Sequence, residues 1–172
     1  LNGYISLMNL KPYTLRQSRN IEVMTEALSD IAEAAGDDAC LIFANFPSKE
    51  QVYIPHTHPQ HLDLLLRFAR PQIVPSEGEF LDKQSDVEAD LTLETLMARS
   101  QTIADVMGDV AAELGFHVIN LTPLFDEAAA SGQITYYAYD THWNQAGHTL
   151  AGQALADYLR GGACDSDHDQ NT

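Results

Sequence analysis

The sequence predicts an α/β protein with a mainly parallel sheet, and two repeated observations support that fold class. Apolar residues recur at helical spacing in residues 18–36 and again in residues 91–114. Each stretch is followed by a short apolar run, residues 40–46 and 116–121, of the kind that forms a strand buried on both faces. Helix and strand alternate in α/β units, so we expect both strands to lie in one sheet.

The first helix is expected to begin near Ser18 and to stop at Gly36, and Pro47 ends the strand that follows it. Residues 48–51 are polar and come directly after this strand, so we predict a solvent-exposed loop at the sheet edge where ligands bind. In the alternative, Lys49 and Glu50 face a substrate. Residues from about 54 to 91 interrupt the alternation. They are interpreted as an insertion that contains a short helix and an acidic, exposed segment.

The second half of the chain begins with one long predicted helix over residues 91–114, with Gly115 as its C-terminal cap, and then the second strand. A brief helix is expected next, because Thr122 is a good N-cap and Pro123 suits the first helical position. An extended segment, residues 134–137, then leads towards the last helix.

The last helix is predicted to begin after Asn144, whose side-chain oxygen can accept a backbone N–H of its first turn, and to stop at Gly161. We assign residues 1–162 to one domain. Residues 163–172 are polar and acidic, so a disordered tail is expected there.

The charge of the chain argues against two classes of function. The 172 residues carry 9 basic and 25 acidic side chains, a net charge of −16, which repels phosphate backbones and disfavours nucleic-acid binding. No apolar run reaches the ~18 residues that a membrane span needs. The cellular compartment is left open by the sequence, with an extracytoplasmic location among the alternatives.

The two cysteines, Cys40 and Cys164, lack the spacing of a metal or redox site. They are able to pair only if the tail folds back. Cys40 begins an apolar strand pattern, so we predict that it is a small buried hydrophobic residue.

Residues 136–148 combine one aspartate, two histidines and the only tryptophan of the chain. Asp140 and His142 flank a single residue, so in an extended or turn backbone both side chains can leave on the same side and face a cleft. A carboxylate beside an imidazole suits general acid–base catalysis, because imidazole titrates near neutral pH. In the alternative interpretation, Asp140 caps the turn and His142 is an ordinary polar residue at the helix entrance.

Two sets of residues have the ligand types of a metal site, but neither has a convincing spacing. The set of Asp140, His142 and His148 lacks a glutamate beside its last histidine. The other set, His56, His58 and His61, lacks a cysteine or a carboxylate at a fitting distance. We therefore expect no metal and no cofactor.

Residues 140–144, followed by Gly147 and His148, resemble the last conserved block of the SGNH (GDSL-type) hydrolases, in particular the branch of alginate O-acetyltransferase-like proteins. Residues 41–53 and 116–123 are similar to further family segments, in the same order. The resemblance implies a three-layer α/β/α, flavodoxin-like fold, of which this chain supplies the later part. It also implies that Asp140 and His142 belong to a Ser–His–Asp triad.

The implied activity is hydrolysis of an ester, or transfer of an acyl group such as acetyl, on a carbohydrate or similar compound. Trp143 and Tyr139 are candidates for an aromatic sugar-binding surface, and Lys49 and Asn45 for further substrate contacts. The family's Gly-Asp-Ser block is absent from this chain, which begins at Leu1 and is interpreted as the later part of a longer protein. A non-catalytic module that binds a glycan or a protein partner is the alternative.

A truncated sheet would leave one edge of the first strand, residues 40–46, without a neighbour. Unpaired edges tend to be covered by another strand. We therefore expect a homodimer or a bound N-terminal fragment.

Overall fold

The computed structural model of the protein describes residues 11–36, 38–58, 60–61 and 92–164. The strands are β1 (Ile42–Asn45) and β2 (His117–Asn120), and one turn of 3-10 helix (Ile54–His56) follows the third helix. The helices are α1 (Pro12–Arg16), α2 (Arg19–Ala35), α3 (Lys49–Tyr53), α4 (Leu93–Arg99), α5 (Thr102–Glu113), α6 (Thr122–Ala130) and α7 (Gln145–Arg160).

The two strands form a parallel pair in which Ile42 lies opposite His117 and Asn45 lies opposite Asn120. Parallel neighbours need a crossover connection, and the chain between them includes α3, α4 and α5. Both strands fall within the apolar runs that predicted them. Helices together with a small parallel sheet confirm the α/β class.

Helices α2 and α5 pack against this sheet through apolar side chains. The Ser18 hydroxyl accepts the N–H of Ile21 at the start of α2, and Gly36 ends the helix with a φ of 73°, as predicted from the sequence. Helix α5 approaches β2 so closely that a Cβ on Gly108 would lie 3.2 Å from Val118. The buried residues here are Leu15, Ile21, Val106 and Val110 in one cluster, and Leu28, Ala111 and Phe116 in another.

A third apolar cluster joins α3, α6 and α7. Val52, Leu121 and Phe125 are almost completely buried in it, together with Tyr136 and Ala151. Burial of this much apolar surface is the main favourable term in folding. The cluster therefore provides a rigid base for the polypeptide between Tyr136 and α7.

The prediction of one continuous helix over residues 91–114 is wrong, because α4 and α5 are separate helices with an interruption at Ser100 and Gln101. The Ser100 hydroxyl donates to the Met97 carbonyl at 2.9 Å. The Ser100 carbonyl accepts a hydrogen bond from the side chain of Gln51 at 2.6 Å. A side chain some fifty positions away thus stabilises the break, which helical periodicity alone does not reveal.

The prediction that residues 48–51 form an exposed loop is also wrong. Ser48 is the N-cap of α3, its hydroxyl accepting the backbone N–H of Gln51 while the Gln51 side chain accepts the N–H of Ser48. This reciprocal capping box satisfies two backbone donors at the helix start. Thr122, expected to cap α6, is instead the first residue of that helix.

The prediction for Cys40 is wrong as well, because Cys40 is exposed and forms a disulfide with Cys164, with a Cα–Cα distance of 5.5 Å. The bond ties the residues after α7 to the start of β1. The rest of the expected tail, residues 165–172, lies outside the described residues, as do the short helix and the acidic segment expected within 62–91. No described helix is long and apolar enough to cross a membrane.

Candidate active site

The chain between Tyr136 and Trp143 forms a closed turn, called the dyad loop here because it carries Asp140 and His142. An antiparallel bridge pairs Tyr136 with Trp143 at its base. The N–H of Tyr137 donates to the carbonyl of His142 at 3.1 Å. These contacts fix both ends of the loop and leave its tip at residues 138–141.

Within this loop the carboxylate of Asp140 contacts His142 in two ways. Its Oδ1 accepts the backbone N–H of His142 at 2.8 Å and also forms a short hydrogen bond with Nδ1 of the ring. The backbone N–H of His142, followed by its ring, holds the pKa of Asp140 below the ordinary value. Asp140 is therefore an anion at neutral pH, and it orients the imidazole.

The other ring nitrogen of His142, Nε2, makes no hydrogen bond to any residue that the structure describes. The side chain of His142 is 81% exposed. When Nδ1 donates to the aspartate, Nε2 carries a lone pair directed away from the loop. This arrangement allows Nε2 to accept a proton from a group placed beside it.

The start of α7 anchors the dyad loop from one side. Asn144 is the N-cap, its Oδ1 accepting the N–H of Gly147 at 3.1 Å, and its amide donates to the carbonyl of Ile134 at 2.8 Å. The helix approaches the preceding segment so closely that a Cβ on Gly147 would lie 2.3 Å from the carbonyl oxygen of Thr135. Only glycine fits there, which gives a physical reason for this part of the sequence motif.

A hydrogen bond from a buried tyrosine joins the loop to the end of β1. The hydroxyl of Tyr136 donates to the carbonyl of Pro47, and burial raises the pKa of Tyr136 to about 12. The hydroxyl consequently stays protonated and remains a donor across the physiological pH range. The base of the dyad loop is thereby held at the carboxyl end of the strand.

Trp143 and Tyr139, the predicted aromatic surface, lie in different environments. Trp143 is half-buried, with its ring centroid 4.9 Å from Phe46, 5.2 Å from Phe125 and 5.5 Å from His148. Tyr139 is fully exposed at the tip of the loop. Trp143 thus supports the loop by packing, whereas Tyr139 is open to a ligand.

The two histidine-containing sets considered as metal ligands are not assembled in the described part of the chain, which contains no group of three or more metal-ligating side chains. His148 packs edge-on against Trp143, on the helix that follows the dyad loop. His56 forms a hydrogen bond with Asp126 at 2.8 Å, and the rings of His58 and His61 lie 6.1 Å apart.

Asn45 and Asn120 occupy equivalent positions at the carboxyl ends of the two strands. The amide of Asn45 donates to Oδ1 of Asn120 at 3.2 Å and to the hydroxyl of Thr122 at 3.4 Å. Asn120 in turn donates to Gln101 at 3.3 Å. Asn120 was not among the residues predicted from the sequence. Asn45 is the one polar residue of the first predicted strand, and Asn120 holds the matching place near the end of the second.

Lys49, predicted as a substrate contact, lines the groove at the end of β1 and also reaches the dyad loop. Its ammonium donates to the carbonyls of Tyr137 at 2.6 Å, Ala138 at 2.8 Å and Asp140 at 3.2 Å. An ammonium has three N–H groups, so these carbonyls use its full donor capacity.

A groove of about 530 Å³ lies at the carboxyl end of β1, beside the dyad loop. Asn45, Phe46, Lys49 and Thr141 are among the residues that line it. Glu50 also lines the groove and is only 7% exposed, and neither of its carboxylate oxygens has a hydrogen-bond partner among the described residues. The sequence favoured an exposed loop for Glu50, with a substrate-facing position as the alternative, and did not predict its burial.

The dyad loop thus places an aspartate and a histidine beside the carboxyl end of a parallel strand, which is the sheet edge where open α/β folds bind their ligands. The family described as SGNH hydrolase-like domain, acetyltransferase AlgX, matches residues 81–171. The match covers more than half of the 172 residues, and the chain belongs to this family. The predicted resemblance is confirmed. Searches of curated proteins and of solved structures find no match.

Proposed function

We propose that this chain supplies the base and its orienting carboxylate to an SGNH-type domain that hydrolyses an ester or transfers an acyl group, such as acetyl. The observation that carries the proposal is the geometry of the dyad loop. Asp140 holds Nδ1 of His142 while Nε2 stays open. Membership of a hydrolase-like acetyltransferase family supports the same class of chemistry.

In this mechanism Nε2 of His142 takes the proton of a serine hydroxyl as the serine oxygen bonds to the acyl carbon. The resulting imidazolium is stabilised by the anionic Asp140. The imidazolium then gives the proton to the alkoxide oxygen as the bond from that oxygen to the acyl carbon breaks. The alcohol departs, and the acyl group remains bound to the serine. Water or an acceptor hydroxyl attacks that ester, again with His142 as base, and the serine is restored.

The nucleophile is proposed to come from polypeptide outside this chain. No serine of the chain stands in a Gly-Asp-Ser setting, and no described serine forms a hydrogen bond with His142. The same shortage favours a second candidate function, in which this fold binds a glycan or a protein partner without catalysis.

The substrate is proposed to be a carbohydrate ester, because exposed aromatic rings lie near the dyad. Tyr139 and Tyr137 belong to the dyad loop, and Phe46, which lines the groove, contacts Trp143; Tyr139, Tyr137 and Phe46 are all exposed. Aromatic side chains present flat apolar faces on which sugar rings can rest. Asn45, at the end of β1, also lines this groove, so a hydroxyl-rich ligand bound there would lie beside it.

The three-layer, flavodoxin-like architecture is part of this proposal. β1 has β2 on one side, and no other described strand pairs with it. We propose that a strand from a second copy or from another fragment of the protein covers that edge. A monomer in sedimentation, with no second polypeptide on a gel, would contradict this assembly.

The disulfide between Cys40 and Cys164 supports an oxidising, extracytoplasmic compartment.

The test compares this chain with a longer protein, expressed together with whatever residues the gene encodes on either side of it. The isolated chain is expected to show little or no hydrolysis of an aryl acetate, since it lacks the nucleophile. The longer protein should turn over the ester, and His142→Ala should lower kcat by about 10⁴-fold or more. His148→Ala, which alters only a packing contact of Trp143, is the matched control and should retain most of the activity.

Two results separate the two candidate functions. Robust turnover by the isolated chain, abolished by His142→Ala, would show that a serine within it serves as nucleophile. The binding module would be identified instead if the longer protein were inactive but, immobilised on a column, retained an acetylated glycan. The His142→Ala variant should then retain the glycan equally well.

A further inference from the structure

We propose that Lys49 is a positioning residue, which sets the conformation of the dyad loop and so the placement of His142 relative to the end of β1. This inference rests on the proposed function of Asp140 and His142. The ammonium of Lys49 binds three carbonyls at the tip of the loop, and one of these belongs to Asp140.

The loop carbonyls have no other described donor. Those of Tyr137, Ala138 and Asp140 accept hydrogen bonds from Lys49 alone among the described groups. Three carbonyl dipoles directed at one point repel one another, and a cation at that point removes the repulsion. The ammonium is suited to this because its three N–H groups spread from a single atom, whereas the donors of a guanidinium lie in a plane.

Lys49 is itself held firmly, which is necessary if it is to position something else. It is the first residue of α3, directly after the N-cap Ser48, which forms the capping box with Gln51. Pro47, two residues before Lys49, is buried, and its carbonyl accepts a hydrogen bond from the hydroxyl of Tyr136. The loop is thus attached to the carboxyl end of β1 at its base through Tyr136 and at its tip through Lys49.

The hydrogen bonds of Lys49 to the loop go only to backbone carbonyls, and none goes to the carboxylate of Asp140 or the ring of His142. Its positioning effect on the dyad therefore passes through the backbone of the loop. Its charge also acts on the carboxylate through space, and the variant Lys49→Arg, which keeps the charge, separates the two effects. The pKa of Asp140 reports that backbone, because the leading cause of its lowering is the hydrogen bond from the N–H of His142. If the loop loosens, this bond weakens and the pKa of Asp140 rises.

The test is a carbon-13 NMR titration of the Asp140 carboxyl in the wild-type chain, Lys49→Met, Lys49→Arg and Arg16→Met. Lys49→Met should move the titration midpoint upwards, towards the ordinary value of ~3.9, and Lys49→Arg should give an intermediate midpoint. Arg16→Met also removes one positive charge, from the ion pairs with Asp109 and Glu113 in α5. In that variant the Asp140 carboxyl should titrate as in the wild-type chain. A wild-type midpoint in Lys49→Met would overturn the proposal.

A second measurement needs no variant and decides the matter if Lys49→Met fails to fold. The NH₃⁺ group of Lys49 in the wild-type chain should exchange its hydrogens slowly and should show scalar couplings to the carbonyl carbons of Tyr137 and Ala138. Fast exchange without these couplings would contradict the proposal.

Neither NMR result depends on catalysis, so failure of the positioning role and failure of the proposed activity are distinguishable. In the active longer protein, Lys49→Met should lower kcat by about 10- to 100-fold with little change in KM, because misplacement of a catalytic group affects the transition state most. A rise in KM with unchanged kcat would instead identify Lys49 as a substrate contact.

Discussion

The layer formed by α1, α2 and α5 differs from the region around the dyad loop in what holds it together. The first region is joined by apolar clusters, and the polar contacts between its helices are ion pairs at the surface, such as Arg16 with Asp109. Around the dyad loop, side chains bind backbone carbonyls: Lys49 at the tip, Tyr136 at Pro47 and Asn144 at Ile134. Apolar packing suffices for regular helices, whereas an irregular loop needs specific donors because its own backbone groups are unpaired.

The largest effect should come from the disulfide, which joins the start of β1 to the residues after α7. Cys40 and Cys164 are 124 residues apart in sequence, and closing so long a loop lowers the entropy of the unfolded chain. Replacing both cysteines with serine should lower the free energy of unfolding by about 2–5 kcal/mol. Urea denaturation of the oxidised chain and the double variant measures this, and coincident unfolding curves would contradict it.

The next effect concerns the contact between α7 and the segment before the dyad loop. Gly147→Ala places a methyl group against the Thr135 carbonyl and should destabilise the protein by about 1–3 kcal/mol. At Gly152, in the same helix, a Cβ would meet no neighbouring element within 4 Å, so Gly152→Ala should stabilise by up to about 1 kcal/mol. Thermal unfolding of both variants tests the pair, and equal shifts in Tm would show that the close approach is absent.

A smaller effect is expected in the helical layer from Arg16, whose side chain is 41% exposed and pairs with Asp109 and Glu113. Exposed ion pairs contribute about 0.2–1 kcal/mol and weaken with salt. Arg16→Met should therefore lower stability slightly at low ionic strength and leave it unchanged at about 1 M salt. A large loss that persists in salt would mean that this region also depends on specific polar contacts.

The smallest effect is a pH dependence from Asp140, whose side chain is exposed. Because its pKa is lowered in the folded chain, its contribution to stability is present above the ordinary carboxyl pKa and is lost as the pH falls through the folded pKa. Asp140→Asn should abolish this part of the acid dependence, and the difference between the wild-type and variant stabilities should shrink as the pH falls. Asp30→Asn, at an exposed aspartate of α2, serves as the comparison.

The elements that the sequence predicted correctly are those fixed by local chemistry. Helix α2 follows from its apolar spacing between Ser18 and Gly36, and the N-cap of α7 follows from Asn144. The contact of Asp140 with His142 spans one intervening residue, so its proximity is also local. The parallel pair follows from two apolar runs that are each preceded by a helix.

The features that sequence reasoning missed depend on partners far along the chain. The interruption between α4 and α5 is stabilised by Gln51, and the role of Lys49 depends on carbonyls 88 to 91 positions away. The disulfide closes an even longer separation. The start of α3 is different, because the Ser-x-x-Gln pattern of a capping box was present at Ser48 and predicts a helix start.

The disulfide also determines how the chain would respond to a pulling force. Both strands, the dyad loop and α7 lie inside the covalent ring closed by Cys40 and Cys164. A stretch applied at Arg19 and beyond Cys164 would pass through the sulfur–sulfur bond and would not extend the chain between the cysteines, which are 124 positions apart. At about 3.3 to 3.6 Å per residue, roughly 400 Å of contour length would stay hidden until reduction. The site would thus bear no tension while the helices before β1 unravel.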